Sequence, residues 1–150
     1  MVVNFPMKYF LIFANSPEDK NYKNNLNAGL RLALTLLMDE YEVYLLLIEE
    51  AIYLARSKEN LSKQETLDKY SSTKTAKESD ETEESIVEDV SFSPYELLDG
   101  IVSFGGHILV CKSSLTLTGL KEEDLIPSIE LVHLQNAVNI MVECNQVLVF

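Results

Sequence analysis

Short apolar runs alternate along the chain with longer segments in which apolar residues recur at helical spacing. The first run, residues 7–14, is aromatic and nearly continuous, which is typical of a strand buried on both faces of a parallel sheet. Turn-forming residues follow it. The spacing of Leu26, Leu30 and Leu37 then predicts a helix over residues 22–39.

The other elements are predicted from the same kind of pattern. Ser93-Pro94 favours a helix start and Gly105-Gly106 a helix end, so a helix is predicted between them. The remaining predicted elements are a strand over residues 42–48, a short helix over 49–56, a strand over 107–111, a short helix over 112–117, a helical turn over 121–125, a strand over 129–131, an amphipathic helix over 133–144 and a strand over 146–150.

Strands that alternate with helices favour an α/β fold, here a three-layer α/β/α arrangement around a mainly parallel five-stranded sheet. The chain has 150 residues, which fits a single domain, and we expect that domain to span residues 1–150. In such a fold the functional loops lie at the carboxyl ends of the strands. Cys111, the last residue of the third predicted strand, therefore lies at that edge.

The composition changes sharply between residues 57 and 92. This segment is rich in Ser, Thr, Lys, Glu and Asp, and it has few large apolar side chains. Such a segment cannot bury enough apolar surface to offset the entropy lost on ordering. We predict an acidic, disordered insertion within the domain, which serves as a solvated tether or, given its length, has a function of its own.

The formal net charge of −12 excludes the usual nucleic-acid binders, whose phosphate contacts need a basic footprint, and it disfavours anionic membrane surfaces. No apolar stretch approaches the roughly 20 residues of a transmembrane helix, and no secretory signal is evident. The chain has two cysteines, too few for a disulfide scaffold. We therefore expect a cytoplasmic protein in which Cys111 is a free thiol.

Cys111 is the residue with the most chemical promise. It ends a strand just before a predicted helix start, where backbone N–H groups of residues 113–115 and the charge of Lys112 would favour a thiolate and lower the pKa of the thiol. The alternative is a small buried hydrophobic residue at a strand end. Cys144, on the last helix, favours a structural role. The sequence leaves a Cys111–Cys144 disulfide open, because it does not place the two Cα atoms.

Metal and cofactor sites find little support. His107 and Cys111 would lie about 13 Å apart along one strand face, too far to share a metal ion. His133 has no companion ligand, and the chain contains no dinucleotide or phosphate-loop motif. We expect neither a metal nor a cofactor.

Several segments resemble those of one family. They are residues 7–17, residues 28–37, residues 50–55 after the second strand, residues 108–111 with the downstream Gly119-Leu120, and residues 145–150. This combination resembles the DsrE/DsrF-like family of intracellular sulfur-relay proteins. The resemblance covers most of the chain outside the acidic segment and begins at Met7.

The resemblance implies a three-layer α/β/α fold with a five-stranded sheet, and assembly into homotrimers or hexamers. It also implies that Cys111 carries sulfur as a persulfide. Two departures from the family pattern are visible. Ser114 stands where many relatives have a second cysteine, and Glu50-Ala51 replaces an Asp-Gly pair.

The leading hypothesis is therefore a sulfur-transfer protein that exchanges sulfur with donor and acceptor proteins through Cys111. Asn15, Glu50, Ser113 and Ser114 are the candidate supporting residues, because each lies near a predicted strand end. The alternative is a non-catalytic oligomeric binding or assembly module whose acidic run, residues 77–89, recruits a basic partner. A small-ligand binder with its site at the strand ends is a third possibility.

Overall fold

The computed structural model of the chain describes residues 5–57 and 92–150. The predicted acidic insertion over residues 57–92 lies outside the described residues, apart from the residue at each of its ends. Within residues 5–57 and 92–150, none of the helices has the length and hydrophobicity of a membrane-spanning segment.

Five parallel strands form one sheet, in the order β4-β3-β2-β1-β5. Their bounds are β1 (Lys8–Phe13), β2 (Glu42–Leu47), β3 (His107–Cys111), β4 (Ile129–Val132) and β5 (Gln146–Val149). Every neighbouring pair is parallel. This confirms the predicted α/β architecture, and each strand lies within two residues of its predicted bounds.

Helices connect the strands. They are α1 (Lys23–Met38), α2 (Pro94–Ser103), α3 (Lys112–Thr118) and α4 (Leu134–Val142), together with two 3₁₀ helices, Glu49–Ala55 and Glu122–Asp124. The predicted helix over residues 133–144 is shorter than expected. His133 is extended and acts as the N-cap, and the helix ends before Glu143.

The start of α2 shows why the local sequence predicts it well. The Ser93 hydroxyl accepts a hydrogen bond from the backbone N–H of Glu96 at 3.2 Å, and the Glu96 carboxylate accepts one from the N–H of Ser93 at 2.9 Å. This reciprocal capping box satisfies two backbone donors that a helix start leaves free. Pro94, which has no N–H to satisfy, occupies the first helical position.

The sheet is covered unequally on its two faces. One face presents Leu11, Leu45 and Val110 to a large core, completed by α1, α2, α3 and the first 3₁₀ helix. The opposite face presents Phe10, Leu46 and Leu109 to a smaller core, to which α4 contributes the buried Ala137. The three layers are therefore present, with one of them much thinner than the other.

Glycine has a low helix propensity, and packing explains its presence at position 29 in α1. A Cβ atom at this position would lie 2.7 Å from a ring carbon of Phe13 and 2.8 Å from one of Phe150. These two rings stack on each other with centroids 5.3 Å apart. The missing side chain lets α1 approach the sheet where the end of the chain docks.

Candidate functional site at the carboxyl end of β3

Cys111 is the last residue of β3 and lies opposite Val132 of β4, with α3 beginning at the next residue. The predicted strand-end position is therefore present. Cys111 is only 1% exposed, as the alternative interpretation of a small buried residue at a strand end predicts. A reaction partner can reach the sulfur only when the residues that cover it move.

Hydrogen-bond donors surround the sulfur. The Ser113 hydroxyl oxygen lies 3.1 Å from Cys111 Sγ. Burial raises the pKa of the Cys111 thiol. Hydrogen bonds from the Ser113 hydroxyl, from the backbone N–H and hydroxyl of Ser114, and from the backbone N–H of Ser113 outweigh burial, so the pKa lies below its ordinary value. The Lys112 side chain is exposed and is not among the causes of this shift.

Ser114 connects the sulfur to a second segment of the chain. Its side chain is 2% exposed, and its hydroxyl oxygen accepts a hydrogen bond from the backbone N–H of Glu49 at 2.8 Å. With a lone pair of that oxygen occupied, the hydroxyl proton is free to donate to Cys111. The Glu49 backbone thus polarises a donor that faces the sulfur.

Glu49 itself has a φ of +50°, in the left-handed region that residues with a side chain rarely adopt. It begins the first 3₁₀ helix, one residue after the end of β2. Sequence reasoning missed this residue, because nothing in a Glu-Glu pair signals a left-handed backbone. The hydrogen bond to Ser114, 65 positions away, is visible only in the tertiary structure.

A cleft of about 240 Å³ opens beside these residues. Its lining residues are Glu49, Glu50, Tyr53, Ser114, Leu117 and Thr118. Ser114 lines this cleft and also donates hydrogen bonds to the Cys111 sulfur, so it lies between the two. Glu50, a predicted supporting residue, is therefore brought to the site, although it lines the cleft and does not contribute to the hydrogen bonds around Cys111.

Asn15 lies elsewhere on the same edge of the sheet. It follows β1, which is separated from β3 by β2. It lines a shallow depression formed with Phe13, Tyr22, Asn25, Leu26 and Phe150. The structure thus brings Ser113, Ser114 and Glu50 toward Cys111 and places Asn15 in a separate depression.

Cys144 is a free thiol at the other edge of the sheet. It lies between α4 and the start of β5, is half-buried, and donates a hydrogen bond to the carbonyl of Ile140 at 3.4 Å. Burial raises the pKa of the Cys144 thiol, the charges of Glu42 and Glu143 raise it further, and Lys8 opposes them. Because Cys111 ends a strand and Cys144 precedes one, the two thiols lie at opposite edges, and both are free.

His107 is the first residue of β3, so it lies at the amino ends of the strands, away from the sulfur of Cys111. Its ring stacks on Tyr44 with centroids 4.4 Å apart, and its Nε2 atom lies 3.4 Å from a carboxylate oxygen of Glu42. Over residues 5–57 and 92–150, no group of three or more His, Cys, Asp or Glu side chains is placed to hold a metal ion.

Comparison with known proteins agrees with this architecture. A family model described as the DsrE/DsrF-like family matches residues 7–150. The uncharacterized protein MJ0989 of Methanocaldococcus jannaschii is 26% identical over 144 residues, which cover 96% of this chain and all of that protein.

Two solved structures share the fold. The YchN protein from E. coli superimposes with a TM-score of 0.65 at 16% identity, covering 96% of this chain and 99% of that one. The protein MTH1491 from Methanobacterium thermoautotrophicum superimposes with a TM-score of 0.56 at 12% identity and the same coverage.

Proposed function

The chain belongs to the DsrE/DsrF-like family, and from this premise we propose that it is a sulfur carrier that holds a sulfur atom on Cys111 as a persulfide. One observation carries the proposal. The Cys111 sulfur is buried, yet hydrogen bonds from Ser113 and Ser114 keep the pKa of the thiol below its ordinary value. A thiolate is the nucleophilic form of cysteine, so these surroundings favour sulfur chemistry.

The proposed cycle has two exchange steps. The Cys111 thiolate attacks the outer sulfur of a donor persulfide, so that a Cys111 S–S bond forms while the donor S–S bond breaks, and the donor leaves as a thiolate that takes up a proton. An acceptor thiolate then attacks the outer sulfur and releases Cys111 as a thiolate. Sulfur moves from donor to acceptor, and neither step needs an external oxidant or reductant.

The supporting residues divide into two groups under this proposal. Ser113 and Ser114 donate hydrogen bonds to the thiolate, and later to the inner sulfur of the persulfide. Glu50 lines the cleft by which a donor or acceptor would approach. Asn15 follows a strand two spacings, about 9.6 Å, from β3, so we propose that it contacts a bound partner and not the sulfur.

Ser114 also decides the type of cycle. A serine cannot form a disulfide with Cys111, and Cys144 lies at the opposite edge of the sheet. The proposed carrier is therefore a single-cysteine carrier, with its resolving thiol on the acceptor protein. It requires a reducing compartment such as the cytoplasm, where Cys111 stays a free thiol.

Sulfur retention tests the proposal directly. The wild-type chain is incubated with glutathione persulfide and separated from the reagent. Its mass is then measured by intact-protein mass spectrometry. We expect the wild type and Cys144→Ser to gain one sulfur atom that dithiothreitol removes, and Cys111→Ser to gain none. Equal retention by Cys111→Ser and the wild type would refute the proposal.

The burial of Cys111 favours a second candidate, in which the chain is a non-catalytic binding or assembly module and the cysteine is part of its core. The family resemblance implies homotrimers or hexamers for either candidate, and we include such assembly in the proposal. Under the second candidate no variant gains sulfur, and deletion of residues 57–90 abolishes capture of a basic partner protein.

A further inference from the structure

The cleft beside the Cys111 sulfur has two chemically different sides. The first 3₁₀ helix contributes the neighbouring carboxylates of Glu49 and Glu50, and α3 contributes Leu117, which is 78% exposed. Among the described residues that line the cleft, none is basic. The space next to the proposed nucleophile is therefore negatively charged on one side and apolar on the other.

Both carboxylates are exposed and available to a ligand. Within the described parts of the chain, no hydrogen bond or ion pair joins the carboxylate of Glu49 or Glu50 to another residue. The guanidinium of Arg56 stacks on the ring of Tyr53, 5.0 Å from its centroid, but it is paired with Glu18 at 3.1 Å. Because two adjacent carboxylates repel each other, a cation bound between them relieves that repulsion.

The backbone fixes the acidic side of the cleft relative to the sulfur. Glu49 has a φ of +50°, a conformation that persists in a residue with a side chain only where the surrounding structure enforces it. Its N–H donates to the buried hydroxyl of Ser114, which in turn donates to the Cys111 sulfur. One side chain thus couples the position of the carboxylates to that of the sulfur.

The size and lining of the cleft favour a long basic side chain as the occupant. Its volume of about 240 Å³ is below the roughly 300–1,000 Å³ of small-molecule and cofactor pockets. Lys and Arg combine an apolar stem with a charged end, which matches Leu117 beside two carboxylates. A metal ion matches less well, because residues 5–57 and 92–150 bring no three ligating side chains together.

We propose that the cleft selects partner proteins whose reacting cysteine lies next to a lysine or arginine, with the charged end of that side chain between Glu49 and Glu50 and its stem on Leu117. The inference rests on the proposed function, in which a donor or acceptor approaches Cys111 through the cleft, and it names the class of partner. The two carboxylates act on the partner and not on the sulfur, since neither is among the causes of the Cys111 pKa shift.

Disulfide exchange with matched peptides tests the inference. Three acetylated tripeptide amides carry a cysteine flanked on both sides by lysine, norleucine or glutamate, and each is used as its mixed disulfide with pyridine-2-thiol. The Cys111 thiolate attacks the peptide sulfur, so a Cys111 S–S bond forms and the bond to the pyridine sulfur breaks. The released pyridine-2-thiolate takes up a proton, and its absorbance gives the rate. Every protein carries Cys144→Ser, so that only Cys111 reacts.

We expect the lysine peptide to react at least ~10-fold faster than the glutamate peptide, with the norleucine peptide between them, because the cleft attracts one charge and repels the other. Glu49→Gln combined with Glu50→Gln should lower this ratio to ~2 or below, since only the screened field of the acidic chain remains. A ratio of two rates on one protein does not depend on the thiolate fraction of Cys111.

The matched control is Glu40→Gln combined with Glu143→Gln. It removes the same number of charges, but at the amino ends of the strands, since Glu40 precedes β2 and Glu143 precedes β5. This variant should keep the ratio of the Cys144→Ser background. Circular dichroism verifies that each variant is folded.

Equal rates for the three peptides on the background protein would overturn the inference, as would a control variant that loses the ratio as fully as the cleft variant. A Cys111 that reacts with none of the peptides would also overturn it, because the cleft would then admit no partner segment. Sulfur retention from glutathione persulfide is an end point on Cys111 and the peptide ratio is a relative rate. A sulfur carrier without charge selection and a selective cleft without sulfur retention are therefore distinguishable results.

Discussion

The two thiols of this chain are both affected by burial, yet the pKa of Cys111 is lowered and that of Cys144 is raised. Burial raises the pKa of both Cys111, at the carboxyl edge of the sheet, and Cys144, at the amino edge. Around Cys111 the side chains and backbone N–H groups of Ser113 and Ser114 donate hydrogen bonds to the sulfur, and the net shift is downward. Around Cys144 the charge of Lys8 opposes burial, the carboxylates of Glu42 and Glu143 add to it, and the net shift is upward.

The comparison teaches that burial alone does not mark a cysteine as inert. What distinguishes a prepared thiolate from a structural thiol is whether the surrounding groups donate to the sulfur or repel its charge. The carboxyl edge of a parallel sheet supplies such donors wherever a helix begins directly after a strand. The amino edge, where Cys144 lies between α4 and β5, presents carboxylates instead.

Removing the hydroxyl donors should shift the pKa of Cys111 toward that of Cys144. In a Cys144→Ser background, Ser113→Ala combined with Ser114→Ala removes the two hydroxyl donors and leaves the two backbone N–H donors, so we expect the Cys111 pKa to rise. The thiolate fraction at neutral pH should fall roughly tenfold or more, because hydrogen bonds to a charged group are worth about 1.5–3 kcal/mol each. The ultraviolet absorbance of the thiolate, followed against pH, measures this without requiring a reagent to enter the site.

Thr116→Ala is the matched control for that experiment. It removes a hydroxyl from the same helix, but one that donates to the backbone carbonyl of Lys112 at 3.2 Å and not to the sulfur. Its titration curve should superimpose on that of the background protein. If the variant with both Ser113→Ala and Ser114→Ala had an unchanged titration curve, the hydroxyl groups of Ser113 and Ser114 would not set the thiolate population.

The two serines should differ in their effect on stability. Ser114→Ala removes the buried hydroxyl that accepts a hydrogen bond from the Glu49 N–H and leaves that N–H without its partner. We therefore expect the free energy of unfolding to fall by about 1–3 kcal/mol. Ser113 is exposed, and Ser113→Ala should change it by less than about 0.5 kcal/mol. Urea unfolding at pH 7 measures both, and equal losses would contradict the assigned role of Ser114.

The smallest expected effect is the pH dependence of stability, which should have opposite signs for the two thiols. The lowered pKa of Cys111 contributes stability that is present above the unfolded value of about 8.5 and lost as pH falls through the folded value. The raised pKa of Cys144 contributes stability that is present below about 8.5 and lost as pH rises through the folded value.

Urea unfolding of three chains across the range around that pH measures these contributions. The stability difference between the wild type and Cys111→Ser should grow with rising pH, and the difference between the wild type and Cys144→Ser should shrink. Two differences that change in the same direction would show that the environments of the thiols are alike.

Much of the architecture was predictable because it depends on local patterns. Continuous apolar runs identified the strands, since strands buried on both faces need apolar side chains on both. The capping residues Ser93 and Pro94 identified the start of α2, since they act within one helical turn. The donors Ser113 and Ser114 were also predictable, because they lie within three residues of Cys111 and the chain must turn there.

The rest depended on contacts between distant segments. The role of Glu49 arises from a left-handed backbone and a hydrogen bond across 65 positions, and neither is encoded in a short window of residue types. Asn15 and Glu50 both lie near strand ends, yet only Glu50 lines the cleft beside Ser114. Which strand ends become neighbours is a property of the strand order, and local patterns do not specify that order.

By itself, the sequence determined the elements, the α/β class, the position of Cys111 at a strand end and the family resemblance. Each of these rests on periodicity or on residues close together in the chain. Only the tertiary structure decided which groups donate hydrogen bonds to the buried sulfur and that Cys144 lies at the opposite end of the strands. Those outcomes depend on how segments far apart in sequence pack together, and packing is set by the whole arrangement of the sheet and its helices.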